Sequence, residues 1–215
     1  MERRRKMAEL VLKSFVVGDL SNNCYLIYNR KTNNAFLIDP STPVALAKKF
    51  IKNSNLNLVF IALTHGHYDH IGGLKDLGAR FYIHREDAKY LNDPQLNGSI
   101  FFSDSLVIER PATFYSQEMN LTFDGYPIEI FHTPGHTPGS VSLKVGDWLF
   151  SGDALFKNSV GRTDLPFASH QTLIKSITEK LMILADETMV YPGHGSATTI
   201  GQERKNNPFL INEAL

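Results

Sequence analysis

Cysteine is nearly absent from this chain, whose 215 residues include only Cys24. One cysteine excludes an intramolecular disulfide and leaves a reducing, cytoplasmic location as the expectation. Cys24 begins the apolar run of residues 24–28, so we interpret it as a small buried hydrophobe. The alternative is a reactive thiol, which requires an electropositive and partly exposed environment.

Net charge is lacking as well, because 22 basic and 22 acidic side chains cancel. A neutral chain has no general field to attract a phosphate backbone or anionic lipid. The composition therefore predicts no nucleic-acid partner.

Long hydrophobic runs are also missing. No stretch approaches the roughly 20 apolar residues that a membrane-spanning helix needs. The N-terminus is basic at residues 3–6, but Glu9 and Lys13 interrupt the apolar residues that follow, so no signal-peptide core forms. We expect no membrane partner.

Short apolar runs and periodic segments predict an α/β fold. Two turns, Asp124-Gly125 and Gly146-Asp147, predict hairpins in the second half of the chain. Ser169 is a candidate N-cap for a helix over residues 170–184. The other predicted strands and helices cover residues 11–17, 24–28, 35–39, 46–51 (helix), 58–63, 81–83, 85–91 (helix) and 189–191. Two β-then-α halves without a polar linker predict one domain over residues 1–215, with two sheets packed face to face and helices outside.

Residues 92–116 have no sustained period and are predicted to form a long loop. Loops of this length inside a compact domain are uncommon and often functional. The loop contains the aromatic residues Phe101, Phe102, Phe114 and Tyr115. We interpret them either as a lid over a site or as anchors of the loop to the core.

The strongest functional signal is H-x-H-x-D-H, formed by His65, His67, Asp69 and His70 directly after predicted strand 58–63. Three imidazoles and a carboxylate suit zinc, iron or manganese, and crowding them without a cation is costly. The composition of this chain gives the pattern by chance with a probability on the order of one in a thousand or less. We predict a metal site; the alternative is a surface loop that happens to be rich in histidine.

Three further donors follow glycines at the ends of later predicted strands: His136, Asp153 and His194. Each is weak evidence alone, since a polar residue beside Pro or Gly is usually part of an ordinary turn. Together with the first cluster they make seven donors, which exceeds the need of one tetrahedral ion with an open position and suits two.

These four motifs, in this order over nearly the whole chain, resemble the metallo-β-lactamase superfamily and, within it, the glyoxalase II branch of hydroxyacylglutathione hydrolases. FSGDALF at residues 150–156, GRTDLP at residues 161–166 and the segment 201–209 strengthen the resemblance. It implies a four-layer αβ/βα sandwich. It also implies two divalent metals, with zinc the first choice and iron or manganese the alternatives.

The resemblance further implies how the donors divide. His65, His67 and His136 would hold one metal, Asp69, His70 and His194 the other, and Asp153 would bridge them. Asp69 and Asp153 are then the catalytic carboxylates as well. The implied reaction is hydrolysis of a small-molecule thioester, most simply a 2-hydroxyacyl glutathione-type thioester, by a water that the two metals activate.

Arg162 is the predicted substrate-binding residue, because it lies where the larger glyoxalase II enzymes have a basic residue facing the glutathione moiety. An ion pair with Asp164 is the alternative. Those larger enzymes also carry a C-terminal helical domain without a counterpart here, so we expect loose selectivity for the thiol. His84, His132 and His170 have no motif support and are interpreted as surface, core or supporting groups.

Other functions remain open at this point. A persulfide dioxygenase-like enzyme has a similar Gly-Arg-Thr-Asp segment but binds one iron, without a counterpart of His194. A β-lactamase with a Cys ligand would place that cysteine at Asp153, and a flavodiiron module usually has a carboxylate at His67. A processing nuclease would need a basic recognition surface. A scaffold protein that has lost activity would not need all seven donors.

Overall fold

The computed structural model describes residues 9–102, 105–116 and 119–211. Fifteen strands in the described residues form two large sheets and two small ribbons. The strands are β1 Leu10–Val17, β2 Asn22–Asn29, β3 Asn34–Ile38, β4 Asn57–Ala62, β5 Phe81–Ile83, β6 Thr113–Phe114, β7 Thr122–Phe123, β8 Tyr126–Pro127, β9 Glu129–His132, β10 Val141–Val145, β11 Trp148–Gly152, β12 Leu155–Phe156, β13 Ser159–Val160, β14 Met189–Pro192 and β15 Thr198–Thr199.

Five α-helices lie between or after the strands of the described residues. They are α1 Ala45–Asn53, α2 Tyr68–Ile71, α3 His170–Ser176, α4 Ile200–Asn206 and α5 Pro208–Ile211. Short 3₁₀ segments cover Gly72–Asp76, Arg85–Leu91 and Ser99–Phe101, and a π-helical turn at Ile177–Leu181 continues α3. Within the described residues, no helix is long and apolar enough to cross a bilayer.

The first sheet has the order β1-β2-β3-β4-β5-β6, antiparallel through β3 and parallel from β3 onward. The second has the order β15-β14-β11-β10-β9, in which only the pair β11 and β14 is parallel. The predicted strands over residues 11–17, 24–28, 35–39 and 58–63 and the hairpin at Gly146-Asp147 are confirmed.

Alternation along the strands produces the layers. In β3, Phe36 and Ile38 face a core shared with Leu143 and Phe150 of the second sheet. Their neighbour Leu37 packs instead in the cluster that contains α1. The second sheet also has one face in the shared core, and its other face is covered by α3. The resulting helix-sheet-sheet-helix order confirms the predicted four-layer fold.

Two of the predicted helices are helical, but not α-helical over their whole length. Residues 85–91 form a 3₁₀ segment rather than an α-helix, and the helix predicted over residues 170–184 ends in a π turn. Ser169 caps that helix as predicted, since its hydroxyl accepts the Thr172 N–H at 3.3 Å. Cys24 is buried, and burial raises the pKa of its thiol, so the interpretation as a hydrophobe holds.

The anchor interpretation of the 92–116 loop is confirmed for its C-terminal end, and the lid interpretation stays a prediction. Tyr115 is buried and donates its hydroxyl to the Leu63 carbonyl at 3.2 Å, and Phe114 packs against the outer core of the first sheet. Phe101 is 82% exposed, while the Phe102 ring lies 4.3 Å from that of Tyr68, inside the histidine motif. Thus one end of the loop is an anchor and the other stands beside the candidate site. Residues 103–104 lie outside the described residues.

Candidate metal centre

The seven predicted donors come together at one end of the two sheets. The His65, His67, Asp69 and His70 segment follows β4, and Asp153 and His194 follow β11 and β14, the parallel pair of the second sheet. His136 lies in the loop between β9 and β10. Because each donor sits just beyond a strand, the rigid sheets fix where the short loops present them.

Two triads of donors are formed. Ligand atoms of His65, His67 and His136 lie within 4.8 Å of one another, as do those of Asp69, His70 and His194. These are the two sets that the resemblance implies. A third combination, Asp39 with His65 and His70, satisfies the same distance.

Asp153 lies between the triads. One of its oxygens is 3.4 Å from His70 Nε2, and the other is 3.6 Å from His136 Nε2 and 3.5 Å from His194 Nε2. His70 and His194 belong to one triad and His136 to the other. A carboxylate in this position can contact an ion in each triad.

Most of the imidazoles have one nitrogen fixed by an oxygen and the other turned toward the cluster. His136 Nδ1 donates to the Arg162 carbonyl at 2.8 Å, and His194 Nδ1 donates to the Leu20 carbonyl at 2.9 Å. His70 Nδ1 lies 2.9 Å from Asp39 Oδ2. Such partners fix the ring and its tautomer, which is the arrangement typical of metal-binding histidines.

His65 shows most directly that a cation fits. The Thr64 hydroxyl donates to Asp39 Oδ2 at 2.6 Å and therefore accepts from His65 Nδ1 at 3.0 Å. That leaves a lone pair on His65 Nε2, a buried atom without a hydrogen-bond partner among the described residues, as is Asp153 Oδ1. Buried unsatisfied acceptors cost about 1–3 kcal/mol each, and bound cations remove that cost.

The pKa values of the histidines differ between the two triads. Burial, the largest cause, lowers the pKa of His65, His67 and His136, so all three are neutral and can act as ligands. Burial also opposes protonation of His70, but the carboxylates around it outweigh burial and raise the pKa of that imidazole to about 10. Burial raises the pKa of Asp69, but His70 and His194 beside it outweigh burial and hold that pKa low. A metal ion in this triad would replace the proton on His70.

Three supporting residues were missed by the sequence analysis. Asp39 fixes both the first motif, through the Thr64 N–H at 2.7 Å, and His70. Asn22 places its amide nitrogen 3.1 Å from His70. Asp39 had a signal, being a charged residue at the end of the predicted strand over residues 35–39, whereas Asn22 lies far from the motifs in sequence and had none.

The third missed residue, Asp87, joins two of the loops that carry the candidate donors. It is fully buried and accepts the Gly66 N–H at 2.9 Å, the Thr137 hydroxyl at 2.7 Å and the Gly139 N–H at 2.7 Å. Gly66 lies between two donors of the first motif, and Thr137 follows His136. One carboxylate therefore sets the distance between the two segments that contribute the His65, His67 and His136 triad.

The loop that carries His194 is held by the start of β2. The Asn23 N–H donates to the Gly193 carbonyl at 2.7 Å, and the Tyr25 hydroxyl donates to the Pro192 carbonyl at 2.6 Å. Asn22 and His194 also form an isolated β-bridge. The last donor in the chain is thus positioned by one of the first strands.

Arg162 is exposed and engaged with its neighbour. Its Nε and Nη2 donate to the two carboxylate oxygens of Asp164 at 2.8 and 2.7 Å. This is the ion pair that the sequence analysis gave as the alternative, and the role of Arg162 toward substrate stays a prediction. Its backbone carbonyl, by contrast, already orients His136.

Comparison with known proteins places this geometry in a family. The family model of the metallo-beta-lactamase superfamily matches residues 17–194, which include all seven donors. The hydroxyacylglutathione hydrolase GloC of Haemophilus influenzae is 39% identical over 206 residues, covering 90% of this chain and 95% of GloC.

Two solved structures are similar over almost the whole chain. The BLEG-1 B3 metallo-beta-lactamase has a TM-score of 0.87 and 38% identity, covering 93% of this chain and 99% of BLEG-1. TTHA1623, solved in a di-iron-bound form, has a TM-score of 0.78 and 33% identity, covering 92% of this chain and all of TTHA1623. With its four-layer fold and paired His/Asp clusters, the chain belongs to the metallo-beta-lactamase superfamily, whose members are metal-dependent hydrolases.

Proposed function

We propose that the protein hydrolyses thioesters at a dinuclear metal centre, with 2-hydroxyacyl glutathione-type thioesters as the substrate class. The observation that carries the proposal is the identity with GloC over nine tenths of both chains, joined to two complete donor triads around Asp153. Zinc is the first choice of metal. The di-iron form of TTHA1623 supports iron as an alternative, and mixed imidazole and carboxylate sites select weakly among zinc, iron and manganese.

In this proposal His65, His67 and His136 hold one ion and Asp69, His70 and His194 the other. Bound there, two divalent ions would supply an activated water and polarise the substrate carbonyl. Asp153 fixes the separation of the two sites, and Asp39, Leu20 and Arg162 hold three imidazoles through their second nitrogens. A thiolate leaves readily because the pKa of a thiol is about 8.5, so no general acid is required at the sulfur.

We propose that substrate enters at the partly exposed side of the centre. His194 is about 25% exposed, whereas His65 and His70 are fully buried. The acyl group would reach the centre past His194 and Asp153. Arg162 would then contact a carboxylate on the thiol portion of the substrate if it exchanged Asp164 for that carboxylate.

Lactam hydrolysis is the second candidate function, favoured by the likeness to BLEG-1 over nearly its full length. The two functions need the same metals, but the bond that is hydrolysed is a thioester C–S bond in one and a lactam C–N bond in the other. A mononuclear persulfide dioxygenase is less well supported, because His194 lies 3.1 Å from Asp69 Oδ2 and completes a second triad.

The test is to measure metal content together with turnover on S-lactoylglutathione, a penicillin and a glutathione persulfide. We expect about two ions per chain and hydrolysis of the thioester well above that of the lactam. Hydrolysis of the penicillin alone would replace the thioester proposal with the lactam one. One iron per chain with oxygen uptake on the persulfide would contradict both.

A further inference from the structure

A second cluster of metal-ligand side chains lies outside the candidate centre. His84 follows β5 in the first sheet, and His132 ends β9 in the second. Their rings are stacked, with centroids 4.1 Å apart and planes at 15°. One nitrogen of each ring and one carboxylate oxygen of Glu86 lie within 4.8 Å of one another.

The hydrogen bonds of these rings leave lone pairs for a cation. His132 Nε2 donates to the Pro138 carbonyl at 2.8 Å, so the neutral ring has its lone pair on Nδ1. A backbone carbonyl on the opposite nitrogen is a common partner of metal-binding histidines. His84 Nδ1 accepts the Glu86 N–H at 3.3 Å, a long bond that a metal ion can displace.

The surrounding charges favour a dication over protons. Burial, and then His132, lower the pKa of His84, since protonating two stacked rings would bring like charges together. Glu86 is exposed and supplies the compensating negative charge. Two cations lie nearby: the Lys180 ammonium donates to the His132 carbonyl, and the Arg85 guanidinium lies over the Phe114 ring. These positive charges limit the affinity.

We propose that His84, His132 and Glu86 form an accessory site for a divalent transition metal such as Zn²⁺, Ni²⁺ or Cu²⁺, separate from the seven-residue centre. Two imidazoles and a carboxylate match the preferences of these ions. Both rings line a groove of about 540 Å³, which gives an ion a route of entry. Because an ion lies in the plane of each imidazole that binds it, the two stacked rings would tilt out of the stack to bring the three ligand atoms to bonding distance.

An ion at this position would join the two sheets at one edge. β5 belongs to the first sheet and β9 is the edge strand of the second. Asp87 lies just beyond His84 in the chain, and His136 lies in the loop that His132 begins. The accessory ion would therefore stabilise the edge next to the main centre without contributing to it.

The test is to count ions in tag-free protein and in His84→Gln/His132→Gln after dialysis against excess Zn²⁺ and removal of free metal. We expect one fewer ion per chain in the double variant, whatever number the main centre holds. His170→Gln, a change of an exposed histidine elsewhere, is the matched control and should match wild type. Equal ion counts in wild type and the double variant would overturn the proposal.

Zinc binding should also be visible in the wild type alone. When Zn²⁺ is added to protein whose main centre is already filled, the ring ¹⁵N signals of His84 and His132 should shift together. The shifts should be smaller below pH 6, because protons compete with the ion for the ring nitrogens. At about tenfold excess over Kd, the Tm should rise by roughly 3–6 °C. Glu86→Gln, at an exposed position, should weaken the response without perturbing the fold. Ring signals that stay unchanged at saturating Zn²⁺ would contradict the site even if the double variant did not fold.

Discussion

Asp153 is the side chain on which both triads depend, since its two oxygens approach imidazoles of each. We expect Asp153→Ala to lose or misplace both ions and to lower kcat/KM by well over the roughly 10 to 100-fold typical of outer-shell changes. His194→Ala should affect only the triad of Asp69 and His70. Elemental analysis beside turnover measures the difference. Two ions and near-normal turnover in Asp153→Ala would show that this carboxylate does not bridge.

Asp87 acts on the centre through main-chain groups, so its removal tests positioning rather than ligation. Asp87→Asn preserves size but replaces one acceptor oxygen with an NH₂, which then faces either the Gly139 N–H or the Gly66 N–H. Each unsatisfied buried group costs about 1–3 kcal/mol, so we expect a loss of that size in the free energy of unfolding and weaker metal binding.

The matched control for Asp87 is Asp124→Asn, at an exposed turn where the carboxylate accepts from Thr32 and Asn34. Denaturant unfolding and metal titration should separate the two variants. Metal affinity as high in Asp87→Asn as in Asp124→Asn would mean that the two metal-binding loops do not need this shared carboxylate.

The pair of Arg162 and Asp164 gives opposite expectations for its two members. If Arg162 binds a carboxylate on the thiol, Arg162→Ala should lower kcat/KM about 10-fold for such thioesters and leave small neutral thioesters unchanged. Asp164→Asn should raise it for the same substrates, because Arg162 loses its competing partner. A panel of 2-hydroxyacyl thioesters that differ only in the thiol provides the measurement. Equal losses on all substrates would assign Arg162 to structure alone.

Among the elements, the loop after β14 leaves no room for a side chain at Gly193. A Cβ on Gly193 would lie 2.1 Å from Asp153 Oδ1 and 2.7 Å from His70 Cε1. We expect Gly193→Ala to displace Asp153 and reduce metal content, while the sheets stay folded. Gly78→Ala, where nothing lies within 4 Å of the new methyl, is the control. Circular dichroism and metal counts of both variants test this, and a fully metallated Gly193→Ala would contradict it.

Elements with strong periodicity could be predicted, and those shaped by distant contacts could not. The apolar residues of β3 and β4 and the helical spacing in α1 determine which faces are buried, so their type followed from the sequence. The segment Arg85–Leu91 is 3₁₀ instead, where Asp87 is bound to two distant loops and Tyr90 packs on Gly66. Periodicity reports the buried face and does not distinguish these hydrogen-bond patterns.

The same division applies to the site. The seven candidate donors stand out in the sequence because they are clustered or follow a glycine, whereas Asn22 and Asp87 contact the site only because the fold brings distant segments together. Their residue types are ordinary in the sequence. For the molecule as a whole, motif chemistry was therefore readable from the sequence, and the groups that position the motifs required the structure.

The hydrogen bonds from β2 to the loop of His194 connect one of the first parts of the chain to be synthesised with one of the last. During synthesis residues 22–25 leave the ribosome long before residues 192–194, so the second triad is incomplete until nearly the whole chain has emerged. Affinity for the ion of the second triad would then rise late, when the end of the chain docks on its beginning. A chelator present during synthesis would therefore compete for the second ion only after residues 192–194 have emerged.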